Sequence, residues 1–569
     1  MRYRQNITCQ HYLFLIALVM ILAACNNSSS QTQTEIVEEP EQMNDAVMRN
    51  LSSMLEQADD DDDKLDDTVH LHSLASILQF YKAGNYRGVW SSNEQLLPVA
   101  DSLLRFVNNC KRYGLFPQDY HDRQLQQIYQ RFIADTLASG PRKDAILWTR
   151  MDLMLTDAFI TMAKHLHKGR LHTDSIYKNF DSTLGHEYYH TFLNETLKQG
   201  VVTSVLSKLE PKHKAYHELK KALPSFLDSA DFSKQFTFLN YPYKDSVAFV
   251  KTLIKRFREE QLIDTSVKRI DSAVLAQVIR KVQKQRNLTV DGKFGNQLVS
   301  SLNSTDAEKF YRIAINLDRY KLMPDTMPKR YIWVNLPAFF LQVIDNDTVA
   351  LESRVVVGKS KTRTPLLTSA ISDMVTYPQW TIPNSIIIKE ILPALKRNPG
   401  YLARKGYNLF TWHGEPVDPY SVNWAKYSKG IPYKIVQGSG DANALGVMKF
   451  NFPNKYSVYL HDTNQRYLFK NENRSLSHGC VRVQQWEQLV WYIHGLDSVA
   501  SVNANTRYLP SDSIRNWLTR KEKHVIPVKT KLPVYFRYFT AAGKNGKLVF
   551  YNDIYNEDRQ AREAYFSSK

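Results

Sequence analysis

Two short stretches carry the residues best suited to covalent chemistry. His461 and Asp462 end an apolar run, and Cys480 lies downstream in a turn with Ser477, His478 and Gly479. A cysteine attacks a carbonyl as the thiolate, so it needs a nearby base or a positive field to lower its pKa. The pattern therefore predicts that Cys480 is a nucleophile and that His461 exchanges its proton.

The flanking residues predict the elements that hold this pair. Apolar side chains alternate through residues 455–460, which is typical of a half-buried strand that ends at His461. Valines alternate with Cys480 and Arg482, so the nucleophile and a cation are predicted to share one side of a second strand. A helical spacing of apolar residues follows, which predicts an amphipathic helix: Trp486, Leu489, Val490 and Ile493.

Cys480 has two other interpretations. Free cysteines are often buried structural residues, and a zinc site built from His461, His478 and Cys480 is an alternative, although no fourth ligand lies at a suitable local spacing. The Ser-His-Gly setting and the presence of Arg482, whose guanidinium suits a carboxylate, favour the nucleophile.

These motifs resemble those of the YkuD-type L,D-transpeptidases, and the chain is similar to the larger, YcbB-like murein members. Residues 356–365 resemble the family's V-G…T-P motif, and residues 377–383 resemble its N-P-x-W-x-x-P motif. The resemblance runs from about residue 71 to residue 555.

The resemblance implies cysteine acyl transfer from tetrapeptide stems of peptidoglycan, with release of D-alanine and formation of a cross-link. It implies no cofactor and no metal. The catalytic roles it suggests are Cys480 as nucleophile, His461 as proton donor and acceptor, His478 as an orienting residue and Gly479 as a backbone oxyanion donor. The expected substrate-binding residues are Arg482, Ser477, Tyr459 and Trp380.

The expected fold class is multidomain α+β. We predict a lipoprotein signal peptide over residues 1–24 and a disordered acidic tether over 25–70, then a helical scaffold domain with an extension over 71–268. A small helical module similar to peptidoglycan-binding modules is predicted at 269–325; a plain helical spacer is the alternative. The mainly β catalytic domain would span 329–509, with a helical lid at about 385–437, and a helix and a strand pair would fill 510–569.

The N-terminus predicts the location. Arg2 and Arg4 precede a short apolar run that ends in Leu-Ala-Ala before Cys25, which resembles a bacterial lipobox and predicts a lipid on Cys25. We therefore expect a lipid-anchored protein on the periplasmic side of the envelope, in the outer membrane of a diderm bacterium. Cys110 and Cys480 are not expected to form a disulfide.

Composition fits this location. The chain has 74 basic and 57 acidic residues, a net charge of +17, which suits an anionic polymer or surface. No nucleic-acid-binding module accompanies the charge, so nucleic acid is not an expected partner.

The sequence is also compatible with two other functions. An enzyme of the same fold would act as an L,D-carboxypeptidase or cross-link hydrolase if water were the acceptor. A non-catalytic peptidoglycan-binding lipoprotein would use the helical modules alone. A serine D,D-transpeptidase is disfavoured because Ser175 and Lys178 have no K-T-G motif downstream.

Overall fold

The computed structural model describes residues 34–566 except 135–139, 172–183, 235, 265–266, 268–269, 287, 505 and 507. The chain divides into two compact units. The described part of the first unit comprises residues 34–167 and 184–210, and that of the second comprises 168–171 and the chain from 211 onward. The cysteine prediction is confirmed for the described residues, since Cys110 and Cys480 form no disulfide.

The first unit is helical and packs around one long buried helix, α5. Its helices are α1 Met43–Asp60, α2 Leu74–Ala83, α3 Pro98–Asn109, α4 Asp122–Ala134, α5 Ala145–His167, α6 Tyr188–Gln199 and α7 Val202–Leu206. Two short hairpins join them: β1 Lys64–Asp66 with β2 Val69–His70, and β3 Ser91–Ser92 with β4 Gln95–Leu96. The predicted helical N-terminal region is confirmed.

The predicted disordered tether is wrong for residues 43–70. Helix α1 covers most of this segment, and strands β1 and β2 follow it. Met43, Val47, Leu51 and Leu55 recur every fourth residue and are buried in the core of the first unit, which offsets the entropy cost of ordering the helix. The acidic run 59–63 follows at the end of this helix. The predicted signal peptide and Cys25 lie outside the described residues.

The second unit begins with helices α8 Lys214–Leu227, α9 Ser246–Glu259, α10 Ser272–Gln285, α11 Asn296–Asn303 and α12 Asp306–Lys321. Helices α9, α10 and α11 share one apolar core that includes Leu239, Phe257 and Val282. The module thus begins near residue 239, so the predicted boundary at 269 is wrong: α9 supplies one side of the core. Between α10 and α11 the chain bends at Gly292, which has a φ of +73°.

A mixed β-sheet forms the body of the second unit. Its strands are β5 Arg330–Asn335, β6 Phe340–Asp345, β7 Thr348–Gly358, β8 Leu367–Thr376, β12 Met448–Asn451, β13 Leu460–His461, β14 Ser475–Ser477, β15 Val481–Val483 and β16 His524–Arg537. Their order is β14-β7-β15-β13-β12-β8-β16-β5-β6, and an added β6–β7 pairing closes the sheet. Helix α16 Trp486–Asn503 contributes Leu489, Val490 and Ile493 to the core of this sheet, as predicted.

An insertion between β8 and β12 has a core of its own. It contains β9 Trp380–Thr381, α13 Asn384–Ile386, a π-helical turn at Ile387–Ile391, α14 Leu392–Arg397, α15 Tyr401–Arg404, β10 Tyr407–Phe410 and β11 Lys434–Gln437. Strands β10, β11 and β9 form a small sheet, so the predicted lid is mixed rather than helical. We refer to residues 385–437 as the lid.

The C-terminal strands do not pair as predicted. Strand β16 lies inside the main sheet, between β8 and β5, and is therefore part of the body of the second unit. Helix α17 Ser511–Thr519 precedes it, and a separate hairpin, β17 Ala541–Lys544 with β18 Lys547–Phe550, and helix α18 Glu557–Ala561 follow. The sequence pattern showed that strands exist here, but partners far apart along the chain are not visible in it.

No helix among the described residues is long and apolar enough to span a bilayer.

Candidate active site

Cys480, the predicted nucleophile, lies at the end of a tight turn between β14 and β15. Gly479 has a φ of +127°, a conformation that favours glycine. Ser477 holds the turn from inside: its Oγ accepts the Gly479 N–H at 3.1 Å and donates to the Cys480 carbonyl at 2.6 Å. This geometry presents Cys480, which is half-buried, at the start of β15.

The V-G…T-P segment, residues 356–365, supports this turn through hydrogen bonds. The Thr364 hydroxyl accepts the Gly358 N–H at 2.9 Å and donates to the Gly479 carbonyl at 2.7 Å. Tyr555, from the C-terminal region, donates its hydroxyl to the Gly358 carbonyl at 2.8 Å and accepts the Thr364 N–H at 3.1 Å. A side chain on Gly358 would lie 2.1 Å from the carbonyl oxygen of Thr362, so this position requires glycine.

Burial raises the pKa of the Cys480 thiol, whereas the amide and hydroxyl of Tyr459 and the charges of Lys449 and Arg482 lower it. The thiol donates to the Ser457 carbonyl at 3.9 Å. Lys449 lies over the ring of Tyr459, with its Nζ 4.1 Å from the centroid. The nucleophile is thus surrounded by groups that favour its anion but rests as a thiol, because burial outweighs them.

His461 is buried on β13, the strand that pairs with β15. Strand β13 runs parallel to β15 with Leu460 opposite Val481 and His461 opposite Arg482, and the rings of Tyr459 and His461 lie 5.6 Å apart. Its Nδ1 lies against the carbonyl of Asp462, which favours the tautomer protonated at Nδ1. Burial and the charge of Arg482 lower the pKa of His461 to about 3, and its imidazole is therefore neutral near pH 7.

Asp462 shapes the loop beside His461. Its carboxylate accepts the Val447 N–H at 3.1 Å and pairs with Arg466 at 2.9 Å. A side chain on Gly446 would collide with this carboxylate at 2.3 Å, and Gly446 has a φ of +63°. The His-Asp dipeptide therefore combines the predicted proton-transfer residue with a residue that fixes the backbone around it.

Arg482 is placed to bind an anion. Its Nη1 donates to Gln465 at 2.9 Å, while its Nε is buried and has no hydrogen-bond partner within the part of the chain that the structure describes. A buried donor without an acceptor is unfavourable, and a substrate carboxylate would satisfy it. Trp380 hydrogen-bonds Tyr459, so both predicted substrate-binding aromatics lie at the site.

The lid reaches the nucleophile turn through His478. The Nε2 of His478 contacts Glu390 Oε1 at 2.6 Å, and Glu390 lies in the π-helical turn of the lid. No contact between His478 and His461 occurs among the described residues, so the orienting role of His478 stays a prediction. The contact that the structure does show connects His478 to the lid.

Two predicted roles do not fit the geometry. Gly479 was expected to offer its N–H to an oxyanion, but Ser477 already accepts that hydrogen, so glycine contributes its backbone conformation instead. Ser477 was expected near the substrate, but its side chain is buried inside the turn and bonded there. The predicted strand over 455–460 is also wrong, because Ser457 has a φ of +56° and β13 covers only Leu460 and His461.

Four contributors were not predicted from the sequence: Lys449, Glu390, Thr364 and Tyr555. A lysine or tyrosine on a strand or loop has no distinctive spacing, and these residues come to the site from distant segments. Thr364 lies in the V-G…T-P motif, but the sequence does not indicate what this threonine does. The register between β12 and β13, which places Lys449 opposite His461, could have indicated Lys449 once the strand pairing was known.

Comparison with known families matches two parts of the chain. Residues 329–503 match the L,D-transpeptidase catalytic domain called YkuD, and residues 75–223 match the scaffold domain. The match to the catalytic domain contains Cys480, His461 and the supporting residues Gly358 and Thr364.

The chain carries a YkuD-type L,D-transpeptidase catalytic domain.

A relative supports this conclusion. A Haemophilus influenzae protein named "Putative L,D-transpeptidase" is 36% identical over 249 residues, which cover 44% of this chain and 48% of the relative. The chain thus spans about half the length of this curated relative.

Solved structures give only distant similarity. The L,D-transpeptidase (Yku) of Stackebrandtia nassauensis is 15% identical with a TM-score of 0.15, covering 49% of this chain and 86% of the other. A point mutant of the Enterococcus faecium L,D-transpeptidase is 14% identical with a TM-score of 0.14, covering 41% of this chain and 64% of the other. At these values they carry no argument about this transpeptidase domain.

The transpeptidase domain extends beyond its family match. Strand β16 and Tyr555 lie after residue 503, yet the strand completes the sheet and the tyrosine supports the nucleophile turn. The residues to about 555 therefore belong to the functional unit.

Proposed function

We propose that this protein is a cysteine-dependent peptidoglycan L,D-transpeptidase that transfers an acyl group from tetrapeptide stems to an amine of a neighbouring stem. The observation that carries the proposal is the placement of Cys480 at the end of a glycine-dependent turn, directly before the strand that pairs with the one carrying the buried and neutral imidazole of His461.

In the first half-reaction, His461 accepts the proton of the Cys480 thiol as the sulfur attacks the carbonyl of the diamino acid. The S–C bond forms, the C–N bond to D-alanine breaks, and His461 returns the proton to the leaving amine. The product is a thioester on Cys480. The backbone N–H of Cys480 and the hydroxyl of Tyr459 are the nearby donors for the developing oxyanion.

In the second half-reaction, the side-chain amine of another stem attacks the thioester. His461 takes a proton from this amine, the new C–N bond forms, the S–C bond breaks, and the proton returns to sulfur. The thiol is restored and a cross-link remains. If water took the place of the amine, the product would be a tripeptide stem, which is the carboxypeptidase alternative.

Arg482 links substrate binding to the basicity of His461. In the free protein, burial and the charge of Arg482 hold the pKa of His461 down. A substrate carboxylate bound to the guanidinium would neutralise this charge and raise the pKa of the imidazole. The base therefore becomes stronger when a stem peptide is bound, which favours attack on substrate over unproductive ionisation.

The test is the product mixture formed from purified disaccharide tetrapeptide, analysed by mass spectrometry, with Cys480→Ala as the control. Cross-linked dimer with loss of D-alanine, absent in the control, is expected. Tripeptide without dimer would replace the transpeptidase proposal with a carboxypeptidase. Unchanged substrate with both proteins would contradict catalysis and favour a peptidoglycan-binding role.

The location is part of the same proposal. Arg2, Arg4 and the apolar run before Cys25 support export and lipidation, which would hold the catalytic unit beside its polymer in the periplasm, on the outer membrane. A fatty-acid label that is incorporated into the natural chain and lost from Cys25→Ala is expected. Equal labelling of both chains would contradict lipidation at Cys25.

A further inference from the structure

Three side chains with metal-binding atoms meet in the first unit, away from the transpeptidase domain. His72 follows strand β2, His121 directly precedes helix α4, and Asp157 lies within helix α5. One ligand atom from each of them lies within 4.8 Å of the other two. They are far apart along the chain, so no short spacing in the sequence indicates the cluster.

The contacts within the cluster are close and ordered. His121 Nε2 lies 2.6 Å from Asp157 Oδ2, and both side chains are buried. The ring of His72 is nearly parallel to that of His121, at an interplanar angle of 10° and a centroid distance of 5.6 Å. His72 is exposed, so the cluster is reachable from solvent on one side.

Asp152, earlier on the same helix, shows what a purely structural carboxylate looks like here. It accepts the N–H groups of Val89 and Trp90 at 3.0 and 2.9 Å and the hydroxyl of Tyr81 at 2.5 Å. These bonds involve no histidine, and burial raises the pKa of Asp152 to about 6.

Asp157 anchors a loop in the same way but also faces two imidazoles. It accepts the N–H of His72 at 3.1 Å and that of Ser73 at 2.8 Å. These bonds secure the loop, as the equivalent bonds of Asp152 do, without any need for imidazole rings. The two histidines therefore require an additional explanation.

We propose that His72, His121 and Asp157 bind a divalent transition-metal ion such as Zn²⁺. Two imidazole nitrogens and one carboxylate oxygen are a ligand set that Zn²⁺ and Co²⁺ accept, with water completing the coordination on the exposed side. Hard ions such as Mg²⁺ prefer an all-oxygen set and fit poorly.

Accepting the ion would change the spacing of the three ligand atoms, and the exposed His72 ring would move toward the other two. The metal would replace the proton that His121 and Asp157 share, and these two atoms would separate by about 0.5 Å to reach normal ligand spacing. The bond from Ser73 to the other carboxylate oxygen, Oδ1, would keep Asp157 oriented, which is the usual role of an outer hydrogen bond.

Lys164 is the charged group that faces the cluster from α5. Its Nζ donates to Ser73 Oγ at 2.9 Å, and it interacts electrostatically with Asp157. A bound dication would repel this ammonium and favour its neutral form.

A bound ion would join three segments of the first unit: the loop after β2, the turn before α4, and the buried helix α5. Because the unfolded chain does not hold these ligands together, binding would stabilise the folded unit. The proposed metal site lies in the first unit and is independent of the transpeptidase reaction.

The test measures Co²⁺ and Zn²⁺ binding to the full chain carrying Cys480→Ala, so that the active-site thiol does not compete. Co²⁺ absorption and calorimetry give the stoichiometry and affinity, and thermal unfolding gives the stabilisation. His72→Ala is the informative variant, because it removes an exposed ligand and leaves the buried pair of His121 and Asp157 intact. His70→Ala, an exposed histidine in the same segment, is the matched control.

We expect one saturable site, unchanged in His70→Ala and weakened by about tenfold or more in His72→Ala. The thermal midpoint should rise with metal in the control and much less in His72→Ala. Absence of saturable binding, or equal binding by the two variants, would overturn the proposal.

Discussion

Cys480 depends on residues that belong to other strands and loops. Tyr459 hydrogen-bonds the sulfur, and Lys449 lies 4.1 Å above the ring of that tyrosine. Burial lowers the pKa of Lys449, while the nearby Cys480 opposes the shift, which indicates mutual support between ammonium and thiolate. The tyrosine whose hydroxyl contacts Cys480 therefore packs its ring against a half-buried cation.

Replacing Lys449 by Met should raise the pKa of Cys480, because one favourable charge is lost while the apolar stem is kept. The expected result is about tenfold slower alkylation of Cys480 by iodoacetamide near neutral pH, since a change of one pKa unit changes the thiolate fraction tenfold. The measurement is the pH profile of alkylation by intact mass. Lys455→Met, whose lysine lies over exposed Tyr456, is the matched control. Superimposable profiles for the two variants would refute the role of Lys449.

His461 should make stability depend on pH. Its pKa is about 3 in the folded protein and near 6.5 when unfolded, so the unfolded chain binds the extra proton first as the pH falls. The contribution of neutral His461 to the free energy of unfolding is fully present above pH 6.5. It is lost progressively as the pH falls below this value, and the loss is about 2 kcal/mol at pH 5.

The check is thermal unfolding of the natural chain and of His461→Asn at pH 7 and pH 5. The natural chain should lose more stability between the two conditions than the variant does. Equal losses would show that His461 takes up its proton at an ordinary pKa in the folded state.

At the scale of elements, the active site is a turn held by segments from both sides of it in the chain. Thr364 hydrogen-bonds the Gly479 turn, and Tyr555 hydrogen-bonds Gly358 of the V-G segment. Glu390 of the lid contacts His478. The C-terminal region is thus part of the catalytic apparatus even though it carries no reactive group.

Tyr555→Phe should lower both stability and activity. The change removes a buried hydroxyl that serves Gly358 and Thr364, at a cost of about 1–3 kcal/mol, because two backbone groups lose their partner. We expect a lower thermal midpoint and a reduced kcat with little change in KM, since the turn that presents Cys480 loosens.

Tyr551→Phe provides the comparison for Tyr555→Phe, because Tyr551 directly follows β18 in the same C-terminal region. Similar kinetics and similar thermal midpoints in the two variants would contradict the supporting role of Tyr555.

Local patterns predicted the elements whose burial follows a simple period. Helix α16 was predicted because its apolar residues repeat every third or fourth position. Residues 455–460 alternate, but Asn454 accepts the N–H groups of Tyr456 and Val458 and folds the segment into a turn. Local hydrogen bonding of this kind competes with strand formation, and the spacing of apolar residues does not reveal it.

Residue type and motif suggested the roles of Cys480, His461 and Arg482, and these roles stay predictions. The positions of Ser477 and Gly479 inside the turn, and the arrival of Lys449 and Tyr555, depend on strand pairing between distant segments. Those pairings are decided by packing of the whole unit, which a single sequence does not display.

At the scale of the whole molecule, residues 43–70 are folded, although their acidic composition suggested a tether. Helix α1 places Leu51 and Leu55, each fully buried, in the core of the first unit. The scaffold domain, matched over residues 75–223, therefore includes a helix that precedes the family match.

Removing this helix should destabilise the first unit. Leu51→Ala should lower the free energy of unfolding by about 2–5 kcal/mol, because it removes buried methyl groups and leaves a cavity. A chain shortened to begin at residue 70 should show a further loss of helical structure and faster proteolysis, compared with one that begins at residue 34. Glu56→Ala, an exposed residue of the same helix, is the control for the substitution. Equal resistance to protease of the two shortened chains would show that α1 is dispensable.

The central claim is that Cys480 carries the acyl group during catalysis. The most direct measurement is intact-mass analysis of the protein mixed rapidly with a tetrapeptide stem that lacks an amine acceptor, followed by peptide mapping. We expect a mass increase equal to the stem minus D-alanine, located on Cys480 and absent from Cys480→Ala. An adduct on another residue, or turnover that survives in Cys480→Ala, would contradict it.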